Sequence, residues 1–315
     1  MLPYLAIIAG IALLVWSADR FIDSASKVST ILGLSPLLIG MLVVGFGTSA
    51  PKMVVSFFAA LDGNSNLALG NALGSNITNI LLILGVTAII APITVHSKII
   101  FKEIPILFGI GLLSGFFYWD GTVTRVESII LLAGFVGLVL WSITTSRKEK
   151  NDPLEVEMEG EIQSTERGLP YHIIWLITGL VLLVVSSRVL VWAAVNIATS
   201  MGVSELVIGL TIVALGTSLP ELAASIVSAR KGEHEIAVGN VVGSNMFNLL
   251  AVVGIAGSTN PIIVEKAVMV RDWPVMMGVT LALFLFCLGK STRISKMEGA
   301  LMIIGFVVYT VILFI

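Results

Sequence analysis

The 315-residue chain is 57% hydrophobic and 12% charged, with a formal net charge of −2 and a mean hydropathy of +1.02. This composition excludes a soluble domain with one large core and predicts an all-α polytopic membrane protein. The charge balance offers nothing to nucleic acid, the single Cys287 excludes an internal disulfide, and His96, His172 and His234 are too scattered for a zinc cluster.

Apolar runs of roughly 20 residues, the length a spanning helix needs, fall at 3–22, 34–60, 67–91, 103–119, 125–145, 171–197, 203–229, 236–258, 271–289 and 297–315, predicting ten transmembrane helices. The first run lacks the basic leader and small-residue cleavage site of a signal peptide and reads as a spanning helix. The acidic stretch 147–170 has no apolar periodicity and reads as a flexible linker between two units of five helices, 1–146 and 171–315.

The two units repeat. An offset of 169 residues carries Gly33–Val95 onto Gly202–Val264 without a gap, at roughly two identities in five. An odd number of spans per repeat makes the second copy cross the membrane in the opposite sense, an inverted-repeat plan that puts a binding site at the midplane. Lys and Arg collect on one side, in the loops holding Arg20, Lys27, Lys98, Lys102, Arg147, Lys148, Lys150, Arg167, Arg230, Lys231, Lys290, Arg293 and Lys296, against Arg125, Lys266 and Arg271 on the other. The bias places the linker in the cytoplasm and both termini outside. Asp19 and Arg188 hold aligned positions in helices 1 and 6 but fall near opposite faces, so they read as topology anchors rather than a pair.

Two doubled motifs carry the chemistry. The first is Gly47-Thr48-Ser49-Ala50-Pro51-Lys52, matched by Gly216-Thr217-Ser218-Leu219-Pro220-Glu221. A proline inside a helix leaves the carbonyl four residues back without its donor, freeing those of Gly47 and Gly216. Irregular backbone at membrane depth persists only where protein buries it or it lines a cavity. The second motif runs Gly70 to Asn79 and is matched by Gly239 to Asn248. Its Gly70/Gly74 and Gly239/Gly243 pairs allow close helix approach. Ser75 with Asn79, and Ser244 with Asn248, share a helix face. Together with Thr48, Ser49, Thr217 and Ser218 they predict a ring of hard oxygens of the kind Na⁺ and Ca²⁺ bind. Glu221, an ionisable residue within a spanning helix, is the sharpest site candidate.

These motifs, GTS-[AL]-P-[KE] and G-N-x-x-G-S-N-x-x-N in inverted five-helix halves, resemble the calcium/cation antiporter superfamily, and within it the prokaryotic sodium/calcium exchangers. The resemblance implies ten helices, a site on helices 2, 3, 7 and 8, and helices 1 and 6 sliding across it for alternating access. It carries ligand roles onto Thr217, Ser218, Glu221, Ser244 and Asn248 with Thr48, Ser49, Ser75 and Asn79. The implied activity is Na⁺/Ca²⁺ exchange in the plasma membrane, with those two ions as cargo, no cofactor and no obligatory protein partner. Lys52 departs from the pattern, which has glutamate there. Its ammonium should attract Glu221 and repel Ca²⁺. Asn248, where some relatives carry aspartate, lowers the charge further and implies no K⁺ requirement.

Three roles stay open for Lys52: a substitution that disables or locks the exchanger, a built-in cation or proton carrier, and a side chain that swings out of the site. Ca²⁺/H⁺ or other cation antiport, and a non-transporting protein in which Lys52 neutralises Glu221, stand beside the exchanger reading. From another class, Ser49 and Lys52 have the spacing of a Ser–Lys hydrolase, but Ser218 in the second repeat has no matching lysine.

Overall fold

The computed structural model describes residues 2–97, 99–149, 168–202, 214–288 and 292–313. In chain order its long helices are α1 (Leu2–Leu32), α2 (Pro36–Leu61), α3 (Ser65–Ile90), α4 (Ile99–Tyr118), α5 (Arg125–Glu149) and α6 (Leu169–Ser200). They continue with α7 (Ala214–Gly216 and Leu219–Arg230), α8 (His234–Thr259), α9 (Val268–Cys287) and α10 (Lys296–Leu313). Among the described residues, nine of these are long and apolar enough to cross a membrane. The tenth predicted span, 203–229, lies partly outside them, as does most of the linker, whose first residues continue α5.

Helices α1 and α6 overrun their predicted spans, 3–22 and 171–197. At 31 residues and 1.5 Å per residue, α1 reaches about 46 Å, well beyond the ~30 Å hydrocarbon layer. Its last third carries an Asp23–Lys27 pair at 3.5 Å, a solvated i,i+4 contact outside the apolar region.

The two long helices pack on each other about a pseudo-two-fold axis. A Cβ on Gly10 would sit 2.9 Å from Leu190, and one on Gly179 would sit 3.0 Å from Phe21. Gly179 is the equivalent of Gly10, and Leu190 of Phe21, by the same 169-residue offset, which extends the repeat through helices the motif alignment did not reach. Ser17 and Ser186, equivalent again, bond back to the carbonyls of Leu14 and Leu183 at 3.0 Å.

Short ribbons establish the inversion. Strand β1 (Ile93–Thr94) pairs with β4 (Arg293–Ile294), and β2 (Thr122–Val123) pairs with β3 (Ile262–Ile263). Since β1 and β2 flank the single span α4, the ribbons lie at opposite ends of the bundle. Their partners flank α9. Thus β1 and its repeat equivalent β3 lie at opposite faces, as two oppositely inserted halves require. The ribbons also join loops of like charge content: Lys102 follows β1 and Lys296 follows β4, whereas Arg125 follows β2 and Lys266 follows β3. At the first of these faces Lys231 meets Asp19 at 2.9 Å and Asp23 at 3.9 Å, tying α1 to the turn between α7 and α8. Asp19 therefore anchors to Lys231 rather than Arg188.

The helices widen into π turns at Ile39–Gly45, Asn79–Leu84, Ile99–Glu103, Asn248–Val252 and Val268–Asp272. The last two begin at the equivalents of Asn79 and Ile99. Such turns displace backbone carbonyls from the regular ladder and concentrate at functional sites. In the centre stands α8, whose apolar window is 100% buried.

Candidate functional site

The two proline motifs fold differently. In the first repeat α2 runs on through Pro51 as regular helix, and its irregularity lies upstream in the Ile39–Gly45 π turn. In the second, α7 breaks at Thr217–Ser218 and restarts at Leu219, with Pro220 in its first turn, where a missing N–H is harmless. The Gly216 carbonyl accepts a 2.8 Å bond from Ser187 Oγ of α6. The equivalent of Ser187 in α1 is Ala18, which has no donor, so this brace exists in one half only. Ser187→Ala should lower thermal stability by the equivalent of about 1 kcal/mol, read as a small fall in Tm of the purified protein. No fall would mean that the bond adds nothing to the α6–α7 contact.

Glu221 lies fully buried in the first turn of the restarted α7, with Oε1 2.7 Å from Lys52 Nζ on α2. Lys52 is 3% exposed and also approaches Ser218 Oγ at 3.5 Å. The ion pair thus crosses between the repeats at equivalent positions. Losing one member of a buried pair typically costs about 3–5 kcal/mol, because the other charge is left uncompensated. Ser49 Oγ is buried and has no hydrogen-bond partner among the described residues. Lys52 is committed to Glu221 and not to Ser49, which leaves the Ser–Lys hydrolase without its base.

Asparagines bind the four central helices together. Asn240 of α8 accepts from Thr48 Oγ1 at 3.3 Å. It also donates to the Glu221 carbonyl at 3.1 Å and to Ser225 Oγ at 2.9 Å. Asn76 and Asn245 donate to each other's backbone carbonyls at 3.2 Å. Asn79 donates to Asn245 Oδ1, and Asn248 to Asn76 Oδ1, each at 2.9 Å. In this symmetric quartet every amide nitrogen donates, yet Asn79 Oδ1 and Asn248 Oδ1 are buried without donors among the described residues. Glu221 Oε2 is in the same condition. The π turn that Asn79 begins packs against α7, and the one that Asn248 begins packs against α2.

The predicted site residues therefore fall into groups. Glu221, Thr48, Ser218, Asn79 and Asn248 join in cross-repeat bonds, and Ser49 is buried among the same helices. Ser244 donates to the Gly45 carbonyl at 3.3 Å. Ser75 donates to Asn71 of its own helix at 3.4 Å. Thr217 is exposed where its equivalent Thr48 is buried. Asn76, Asn240 and Asn245 were not among the expected ligands, although the doubled motif contains them. Their role rests on which helix faces meet, and spacing within one helix does not report that.

The second glycine pair makes a close helix contact. A Cβ on Gly243 would lie 2.8 Å from Met41 Cα, and one on Gly239 would lie 2.9 Å from the Leu37 carbonyl. Here α8 and α2 touch backbone to backbone, on the side of the Asp19–Lys231 contact. At Gly70 and Gly74, among the described residues, no atom lies within 4 Å of such a Cβ.

This arrangement matches known proteins over nearly its whole length. The family described as "Sodium/calcium exchanger protein" matches residues 2–144 and 171–315. Inner membrane protein YrbG of Escherichia coli is 39% identical over 311 residues, covering 98% of this chain and 95% of that one. Sodium/calcium exchanger MaX1 of Methanosarcina acetivorans is 28% identical, with 99% and 98% covered. CaxA of Alkalimonas amylolytica, named only provisionally as an antiporter, is 45% identical, with 98% and 97% covered. A solved structure of the sodium-calcium exchanger NCX_Mj superposes with a TM-score of 0.83 at 28% identity, covering 98% of this chain and 97% of that one. The chain is a multi-pass membrane protein of the sodium/calcium exchanger family, a family of cation antiporters.

Proposed function

We propose that the protein is a secondary antiporter of the plasma membrane, in which inward movement of Na⁺ drives a second cation out through one buried site that opens to each face in turn. The observation that carries this reading is the set of buried oxygens without donors among the described residues: Glu221 Oε2, Ser49 Oγ, Asn79 Oδ1 and Asn248 Oδ1, one from each of α7, α2, α3 and α8. An unmet buried acceptor costs about 1–3 kcal/mol, and carboxylate, amide and hydroxyl oxygens suit a hard cation. Thr48, Thr217, Ser218, Ser75 and Ser244 complete the oxygen-bearing wall. Na⁺ is the driving ion by the family plan, in which Ca²⁺ is the second cation, and Lys52 bears on whether Ca²⁺ can enter. The excess of Lys and Arg around the β1–β4 ribbon supports a cytoplasmic linker and outer termini.

Antiport makes release of one ion depend on another across the membrane. Proteoliposomes loaded with ²²Na⁺ should empty faster into Na⁺ medium than into N-methylglucamine medium. Equal, rapid release into both would contradict antiport. A second reading, a protein held shut, draws on the 2.7 Å Lys52–Glu221 contact. It predicts no release into either medium.

A further inference from the structure

We infer that Lys52 is a tethered cation that fills one cation position of the site, so that this chain takes a monovalent ion of the Na⁺ type and rejects Ca²⁺. The inference rests on the antiporter reading and names its substrate class. Lys52 and Glu221 hold equivalent positions in the two repeats, so the acid of one half faces a base from the other. Their contact is 2.7 Å, and both side chains are buried.

The other site residues named above are asparagines, serines and threonines, so the charges contributed by Glu221 and Lys52 cancel. Calcium affinity rises with the number of charged oxygens a site supplies, and Ca²⁺ takes six to eight oxygens in all. Here a single carboxylate is present, and its charge is already matched. What remains for an incoming ion is Glu221 Oε2 and the neutral oxygens of Ser49, Asn79 and Asn248. A divalent ion beside the ammonium would meet twice the repulsion a monovalent one does. Displacing the ammonium is also unfavourable, since it would strand a buried charge. Neutral oxygens beside a compensated carboxylate suit one singly charged ion.

The experiment compares the full-length protein with its Lys52→Glu and Lys52→Gln variants in proteoliposomes, using ²²Na⁺ and ⁴⁵Ca²⁺ as probes. The unaltered protein should exchange ²²Na⁺ for Na⁺ and take up no ⁴⁵Ca²⁺ above empty liposomes. Lys52→Glu should gain Na⁺-driven ⁴⁵Ca²⁺ uptake by about 100-fold, and Lys52→Gln by about 10-fold. Comparable ⁴⁵Ca²⁺ uptake by all three would overturn the inference and leave the antiporter reading intact. If Lys52→Glu does not yield monodisperse protein, Lys52→Gln carries the test, and uptake equal to the unaltered protein's overturns it. An unaltered protein inert to both ions, beside a Lys52→Glu variant that moves ⁴⁵Ca²⁺, would make Lys52 a lock and also overturn it. Folded variants and parent that move neither ion would remove the antiporter reading itself.

Discussion

Glu221→Gln should reduce ²²Na⁺ exchange to that of empty liposomes. Two effects combine. The amide cannot supply the only carboxylate of the site, and it leaves the Lys52 ammonium, 3% exposed, without its partner. The second effect alone should destabilise the protein by about 3–5 kcal/mol, so loss of activity could come from loss of the fold. The double variant Glu221→Gln/Lys52→Met separates the two. Removing both charges should restore much of the thermal stability, and the departure from additivity measures the pair's coupling. Exchange should stay absent. Exchange retained in either variant would remove Glu221 from the transport path.

Gly243→Val should force α2 and α8 apart. Its Cβ would lie 2.8 Å from Met41 Cα and 2.9 Å from the Met41 carbonyl oxygen, atoms that no rotamer change can move aside. Helices α2 and α8 would have to separate, breaking the bond from Ser244 to the Gly45 carbonyl and straining that from Thr48 to Asn240. Overpacking costs about 1–3 kcal/mol where side chains can yield, and a backbone clash should exceed that. We expect little monodisperse protein.

Nine of the spans, the inverted repeat and the candidate site were legible because each leaves a signal in one dimension. Apolar length marks a spanning helix, the constant offset marks the repeat, and a carboxylate within an apolar run marks Glu221. The attraction between Lys52 and Glu221 followed from charge and equivalent position. The Asn76–Asn245 exchange of bonds did not follow, because it depends on two helix faces meeting across the pseudo-axis. The two-residue strands are too short to produce a pattern. Nor do the π turns at Asn79 and Asn248 have a marker: the proline rule placed the irregularity at Pro51, where α2 stays helical. Identical motifs also gave unlike surroundings. Thr48 is buried and its equivalent Thr217 exposed, because the identical motifs sit in a continuous helix in one half and at a helix break in the other.

The central claim is that a single cation binds against Glu221 where the two halves meet. Thallium(I), a monovalent ion with strong anomalous scattering, tests it most directly when diffused into crystals of the unaltered protein. An anomalous peak beside Glu221 Oε2, within reach of Asn79 Oδ1, Asn248 Oδ1 and Ser49 Oγ, is the predicted result. A peak bound elsewhere in the bundle, with the space beside Glu221 empty in a protein that exchanges Tl⁺, would contradict it.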